Sequence, residues 1–130
     1  MRFNSHPQQA EGEMAGPVAG RPQEAVDQAD LERRLQSAVS GEVRFDAGSR
    51  GLYAKDGSNY RQPPIGVVVP RTVDDVVAAV GVCHHQGVPV LSRGAGTSLG
   101  GQCCNTAVVL DMSKYLNRVL DVDPERRVAR

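Results

Sequence analysis

The residues that are scarce in this sequence exclude several classes of protein. Only three cysteines occur among 130 residues, and two of them, Cys103 and Cys104, are adjacent, which is a poor basis for a disulfide framework. Lysine and arginine number 15, as do aspartate and glutamate, so the formal net charge is zero. The chain therefore has no basic field for non-specific binding of nucleic acid. No run of about 18 apolar residues is present, so no membrane-spanning helix is expected.

The same scarcity predicts where the protein is found. The N-terminal sequence MRFNSHPQQAEGEMAGPVAG lacks the apolar stretch of a secretory signal. An odd number of cysteines suits a reducing compartment. We therefore predict a cytoplasmic protein, with peripheral attachment to the inner face of the membrane as the open alternative.

Composition divides the chain into three segments. Residues 1–23 are rich in Gln, Pro, Gly, Ala and Glu and are predicted to be a disordered tail, because they can bury little apolar surface. Residues 24–62 are predicted to hold a helix and a polar lead-in segment. Residues 63–130 form the main domain. Because the sequence stops in a strand-like run at Arg130, we expect a fragment.

The lead-in helix is predicted from apolar residues at near-helical spacing: Val26, Leu31, Leu35 and Val39. Asp30 is the expected N-cap, with Gly41 just past the helix end. A brief strand or a turn is predicted around residues 43–45.

The main domain begins with a strand–helix–strand pattern. IGVVVP (residues 65–70) is a buried strand, and VPVLSR is a second strand, parallel to the first. Thr72 caps the intervening helix and Gly87 ends it. Its buried stripe is predicted to be Val73, Val76, Val77, Val80 and either Cys83 or His84. AVVLDM is a third strand, and RVLDVDPERRVAR is a hairpin that turns at residues 123–125.

The most informative stretch is PVLSRGAGTSLGGQCCN, a glycine-rich loop between two strands. Glycines leave no Cβ in the path of a ligand, and consecutive backbone N–H groups can converge on an anion such as a diphosphate. The loop is not a P-loop, since no lysine follows its glycines. It also precedes a strand, whereas the dinucleotide-binding fingerprint opens a helix. A tight connection without a ligand is the alternative reading.

Together, YRQPP, the strand ending in Pro70, RGAGTSLGGQ and LDMSKYLNRV resemble the FAD-linked oxidases. These enzymes carry an FAD-binding domain like that of p-cresol methylhydroxylase and vanillyl-alcohol oxidase. The resemblance is narrower to D-lactate, glycolate and D-2-hydroxyglutarate dehydrogenases, especially the type fused to a C-terminal iron–sulfur domain. It implies an α+β fold: the first subdomain of this FAD-binding domain, a βαβ unit with added strands, incomplete here.

The resemblance also implies a cofactor and its ligands. FAD would be held noncovalently, because Thr97 stands where covalently linked members have histidine. The residues implied to bind it are Arg93, Gly94, Ala95, Gly96, Thr97 and Ser98, with Gly101 and Gln102 at the far edge and Pro70 as a weaker candidate. Arg93 is expected either to add positive charge to the site or to brace the loop. Gly96→Val is expected to abolish FAD retention by intruding on the diphosphate path.

The implied reaction is oxidation of a 2-hydroxy acid by hydride transfer to the flavin, with electrons then leaving to a separate acceptor. No catalytic residue is assigned, and an iron–sulfur cluster would belong only to a C-terminal domain outside these residues. Two alternatives stay open: a truncated, non-catalytic FAD- or nucleotide-binding fragment, and a flavoenzyme similar to UDP-N-acetylmuramate reductase.

Other residues that invite a functional reading are interpreted as structural. Adjacent His84 and His85 point about 100° apart on a helix and make a poor metal clamp, so no metal site is predicted. Cys103 and Cys104 lack the spacing of iron–sulfur ligands. The remaining polar pairs are assigned to helix charge, packing or a solvated hairpin edge: Asp74 and Asp75, Tyr60 and Arg61, Arg126 and Arg127.

Overall fold

A four-stranded mixed sheet organises the chain. The computed structural model describes residues 26–130, and the predicted tail lies outside them. Along the chain the elements are α1 (Gln28–Ala38), β1 (Glu42–Arg44), α2 (Ala47–Leu52), β2 (Gly66–Val69), α3 (Val73–His85), β3 (Val90–Arg93), β4 (Val108–Asp111), β5 (Val122–Asp123) and β6 (Val128–Ala129). The main sheet has the order β1-β2-β4-β3, and β5 and β6 form a separate antiparallel hairpin.

The strand–helix–strand prediction is confirmed, with one addition. β2 and β3 both run parallel to β4, which lies between them: Val67 and Leu91 each pair with Val109. β1 is the edge strand beside β2 and pairs with it in the antiparallel direction. The carboxyl ends of β2, β3 and β4 therefore meet at one edge of the sheet, which is where ligands bind in open parallel sheets.

Helix α1 starts earlier than predicted. Its N-cap is Asp27, whose carboxylate accepts from the N–H groups of Ala29 and Asp30, so the prediction of Asp30 as the cap was wrong. Asp30 instead lies in the first turn, where it pairs with Arg33 and with Arg34 at 2.5 Å. The predicted apolar spacing is confirmed, because Leu31, Leu35 and Val39 are buried.

Helix α3 has the predicted ends, but its buried face was predicted only in part. Thr72 is the N-cap and forms a capping box with Asp75, and Gly87 follows the helix with a φ of +63°. The predicted stripe is right for Val76, which packs against the core, and for Cys83, which is buried. It is wrong for Val73, Val77 and Val80, which are 69%, 67% and 43% exposed. The buried positions of the helix are Asp75, Ala79 and Cys83.

Asp75 explains why this face turns inward. Its carboxylate accepts from the backbone N–H groups of Ser40 and Arg71, each at 2.8 Å, and from the Ser40 hydroxyl. Burial alone would raise the pKa of Asp75, but these hydrogen bonds outweigh it and hold the pKa below its ordinary value. A carboxylate with several N–H donors fixes the start of α3 against the end of α1.

The two faces of the sheet are covered differently. On one, here called the helical face, α1 and α3 pack over the sheet, and the buried residues are Leu31, Leu35, Val39, Val68, Ala79, Cys83, Val88, Val108 and Leu110. On the other, the tyrosine face, Tyr53, Leu91 and Tyr115 pack over Val67, Val69 and Val109. Alternate residues of one strand thus serve opposite faces, as the pleat of a strand requires.

Three smaller features complete the fold. The brief strand or turn predicted around residues 43–45 is the strand β1, and the C-terminal hairpin is also confirmed. Helix α2, capped by Asp46, was not predicted. None of the helices within residues 26–130 combines the length and the apolar character that a membrane crossing requires.

Candidate functional site

The glycine-rich loop (residues 94–102) leaves β3 at the edge where the parallel strands end. Gly96 and Gly101 have φ angles of +71° and +80°, in the left-handed region that favours glycine. At Gly94 nothing lies within 4 Å of where a Cβ would stand, so this part of the loop faces open space. The backbone thus turns twice while leaving one side uncovered.

The backbone N–H groups of this loop are available to a ligand. Among residues 26–130, no hydrogen-bond acceptor is recorded for the N–H groups of residues 94–99. Exposed N–H groups in a turn that contains a left-handed glycine form a concave site for anions. A diphosphate fits this arrangement, because its oxygens accept several N–H bonds at once.

The far side of the loop is closed by its own side chains. Gln102 donates its backbone N–H to the Ser98 hydroxyl at 3.3 Å, and the hydroxyl also contacts the Gln102 side-chain oxygen. That oxygen accepts the N–H of Gly100 at 3.2 Å. Ser98 and Gln102 therefore shape the loop, while Thr97 is an exposed residue beside them.

The structure brings most of the predicted site residues together. Eight of them lie in or directly before the loop: Arg93, Gly94, Ala95, Gly96, Thr97, Ser98, Gly101 and Gln102. Pro70 lies at the same edge of the sheet, at the end of β2, but it is fully buried and a Cβ at Gly41 would touch its Cα. Pro70 is thus separated from the loop by the width of β4.

A cavity of about 270 Å³ adjoins the first residues of the loop. It lies on the tyrosine face and is lined by Arg44, Leu52, Tyr53, Arg93, Gly94, Ala95, Asp111 and Ser113. A larger groove of about 610 Å³ runs between α1 and α3 and includes no residue of the loop. The smaller cavity is the one that joins charged side chains to available backbone N–H groups.

Tyr53 and Asp111 form the polar wall of this cavity, and neither was predicted. The Tyr53 hydroxyl donates to Asp111 Oδ2 at 2.6 Å, while Ser113 donates its N–H and hydroxyl to Oδ1. Burial, and then the bond to Asp111, raises the pKa of Tyr53 to about 12. Burial opposes ionisation of Asp111, yet the donors from Ser113 and Tyr53 keep its pKa below the ordinary value.

Residues considered for metal binding are placed as the sequence predicted. His84 and His85 are exposed at the C-terminal end of α3, where positive character suits the helix dipole. Within the described residues no group of His, Cys, Asp or Glu could hold a metal ion. Cys83 is buried, which raises the pKa of its thiol to about 11, and Cys104 is buried as well.

A family model described as "FAD binding domain" matches residues 64–130, which include β2, α3, the glycine-rich loop and the C-terminal hairpin. The chain belongs to this FAD-binding family. The predicted family and the predicted cofactor, FAD, are thereby confirmed. The loop N–H groups that have no acceptor within the described residues are the structural counterpart, because such groups can bind a diphosphate.

Two curated relatives match over most of the chain. The chain is 42% identical over 109 residues to "Glycolate oxidase subunit GlcD" of Escherichia coli (strain K12), covering 81% of the chain and 22% of that protein. It is 32% identical over 103 residues to "D-2-hydroxyglutarate dehydrogenase" of Pseudomonas putida, covering 77% of the chain and 10% of that protein. The chain thus spans a fifth or less of the length of most such relatives.

A solved structure confirms the fold class. Substrate-bound p-cresol methylhydroxylase matches with a TM-score of 0.62 at 21% identity, over 75% of this chain and 20% of that one. At this identity the likeness concerns the fold alone. The α+β fold expected for the first part of this FAD-binding domain is therefore confirmed.

Proposed function

We propose that this chain is the FAD-binding part of a flavin-dependent oxidoreductase that oxidises a 2-hydroxy acid. The observation that carries the proposal is the glycine-rich loop, whose N–H groups at residues 94–99 have no acceptor within the described residues. Curated relatives named for glycolate and D-2-hydroxyglutarate support the substrate class. The substrate and a separate electron acceptor are part of the proposal.

The proposed grip uses the backbone more than the side chains. The N–H groups between Gly94 and Ser98 would receive the diphosphate, with the Thr97 hydroxyl as an added donor and Gly101 and Gln102 at the far edge. Thr97 cannot form the linkage that a histidine provides in covalent members, so we propose noncovalent FAD. Pro70 keeps a secondary role, since its side chain is buried.

The bound cofactor would supply the chemistry, since a flavin accepts hydride. The described residues would bind and orient it: the loop would hold the diphosphate, and the cavity beside Gly94 would receive an adjoining part of the molecule. We propose no catalytic residue among them. We also propose that the chain is divided into a tail (1–23), a helix with a lead-in segment (24–62) and the first part of the FAD-binding domain (63–130). The proposed location is the cytoplasm.

The proposal is tested with Gly96→Val in the protein expressed from its complete gene. Valine is strained at a φ of +71°, and its Cβ would collide with the Arg93 guanidinium beneath the loop. The substitution would therefore distort the loop itself, whether or not the added side chain also reaches the diphosphate. We expect the variant to purify without the flavin absorbance band that the wild type carries.

Gly81→Val is the matched control, because it makes the same change in α3 where nothing lies within 4 Å of the added Cβ. This control should retain flavin. A wild-type protein that binds no FAD at saturating concentration would contradict the proposed function, as would normal occupancy in Gly96→Val. Reduction of the bound flavin by D-lactate, glycolate or D-2-hydroxyglutarate would then identify the hydroxy acid.

A further inference from the structure

The glycine-rich loop rests on a second segment of the chain, residues 53–61, here called the lead-in turn. Within it, Lys55 and Arg61 form an antiparallel bridge, and Gln62, the next residue along the chain, donates its N–H to the carbonyl of Ala54 at 2.9 Å. These bonds make the turn a structured element of its own. It contacts the loop near Ser98, whereas nothing lies within 4 Å of a Cβ at Gly94.

Backbone contacts join the two segments. Gly57 donates its N–H to the carbonyl of Gly96 at 3.0 Å. A Cβ at Gly57 would stand 3.0 Å from the carbonyl of Ser98, and one at Gly101 would stand 2.7 Å from the ring of Tyr60. The two segments are therefore packed as closely as glycine permits.

The Arg93 side chain joins the start of the loop to the lead-in turn and to Cys103, the residue after the loop. Its Nη1 donates to the carbonyls of Tyr53 at 3.2 Å and Cys103 at 3.0 Å, and its Nη2 donates to the carbonyl of Lys55 at 2.9 Å. The guanidinium also lies over the Tyr53 ring, 5.2 Å from its centre. Three of its five N–H donors are thus committed to backbone carbonyls of this chain.

Asp56 makes the complementary link from the lead-in turn. Its Oδ2 accepts the N–H of Cys103 at 3.1 Å, just beyond the loop, and its Oδ1 accepts the N–H and hydroxyl of Ser58. The hydrogen bond from the Ser58 hydroxyl lowers the pKa of Asp56 to about 2, so the carboxylate is ionised at neutral pH. Its negative charge accepts the hydrogen bond from the N–H of Cys103 and would repel a diphosphate.

Such bracing matters because glycine-rich backbone is costly to order. Each residue that is fixed on binding costs about 1–2 kcal/mol of conformational entropy, and glycine loses the most. A loop already fixed at both ends avoids that cost when the ligand arrives. Arg93, directly before the loop, is bonded to the carbonyls of Tyr53 and Lys55, and Cys103, directly after it, is bonded to Asp56.

We propose that Arg93 and Asp56 are positioning residues that hold the glycine-rich loop in its FAD-binding shape, and that neither contacts the diphosphate. This inference rests on the proposed function, because it assigns a role within the same site. It separates Arg93 from the other residues that the family resemblance implied as ligands. It also assigns a role to Asp56, which the sequence did not suggest.

The test measures the rate of FAD release from the flavin-loaded protein, expressed from its complete gene, at low and high salt. Arg93→Lys keeps the charge but cannot reach three carbonyls, so release should be about tenfold faster or more, by the same factor at both salt concentrations. Asp56→Ala should release FAD about tenfold faster, since a hydrogen bond to a charged group is lost. Asp56→Asn should restore slow release in part, because its amide oxygen can still accept from Cys103 whereas its NH2 group cannot accept from Ser58.

Asp27→Ala is the control, since it removes the N-cap of α1 on the helical face. It should lower stability yet leave the release rate unchanged. If both Arg93→Lys and Asp56→Ala release FAD at the wild-type rate, the positioning role is overturned while the proposed function stays intact. For Arg93→Met, which removes the charge, an effect on release that disappears at high salt would overturn it too, since it would place the charge on the diphosphate. Flavin-free wild-type protein would instead contradict the proposed function.

Discussion

The two faces of the central sheet are built by different interactions. The helical face is an aliphatic core in which Leu31 and Leu35 are wholly buried. The tyrosine face has a smaller apolar cluster, Val67, Val69 and Val109, and is completed by directional hydrogen bonds, such as the one from the Tyr53 hydroxyl to Asp111. Burial stabilises without fixing exact positions, whereas hydrogen bonds fix positions. Folding stability and FAD binding should therefore respond separately to substitutions on the two faces.

The largest expected effect is on the helical face, with Leu35→Ala. Removing this fully buried side chain should lower the free energy of unfolding by about 2–5 kcal/mol, since it leaves a cavity between α1 and the sheet. Urea unfolding measures the loss. Gln36→Ala, one residue along and exposed, should change stability by less than about 0.5 kcal/mol. Faster FAD release from folded Leu35→Ala would break the proposed separation.

The helical face also shows the limits of periodicity. The spacing of Leu31, Leu35 and Val39 predicted the buried side of α1, because polar residues fill the rest of that helix. In α3 apolar residues occupy both sides, so the pattern did not distinguish the stripe of Val73, Val77 and Val80 from the side that is buried. The side was decided by the contact of Asp75 with Ser40, 35 positions away, which the sequence does not reveal.

The next largest effect is expected on the tyrosine face, with Tyr53→Phe. Losing the 2.6 Å bond to nearly buried Asp111 should lower stability by about 1.5–3 kcal/mol. It should also speed FAD release, because Tyr53 lines the cavity beside Gly94. Tyr115→Phe is matched: its hydroxyl donates to Glu42 at 2.7 Å, away from that cavity. Equal release rates in the two variants would contradict a special role for the Tyr53 side of this face.

The candidate site was predictable from the sequence only where its residues are consecutive. Residues 93–102 are consecutive, so their glycines and hydroxyls could be interpreted directly from the sequence. Their supports come from distant positions: Arg93 reaches Lys55 across 38 residues, and Cys103 reaches Asp56 across 47. A short turn with scattered polar residues has no periodicity to announce it. Helix α2 was missed similarly, because two glycines interrupt its six residues.

The smallest expected effect concerns pH and the outer edge of the tyrosine face. Hydrogen bonds from Lys114, then Tyr115 and then Arg44, lower the pKa of Glu42 from 4.5 to about 2. The folded state thus binds this proton less readily than the unfolded state. The stability contributed by Glu42 is therefore complete above about pH 4.5 and is lost as the pH falls toward 2.

Glu42→Gln should accordingly flatten the acid side of the stability profile. Between about pH 6 and pH 3 the urea midpoint should fall less for Glu42→Gln than for the wild type, with the remaining decrease due to other carboxylates of lowered pKa. The difference is small because Lys114 is half exposed and water screens the pair. Gln36→Ala on α1, which changes no titratable group, should follow the wild type. If Glu42→Gln also follows the wild type, this ionic contact does not stabilise the tyrosine face, and Tyr53 and Asp111 are left as its polar support.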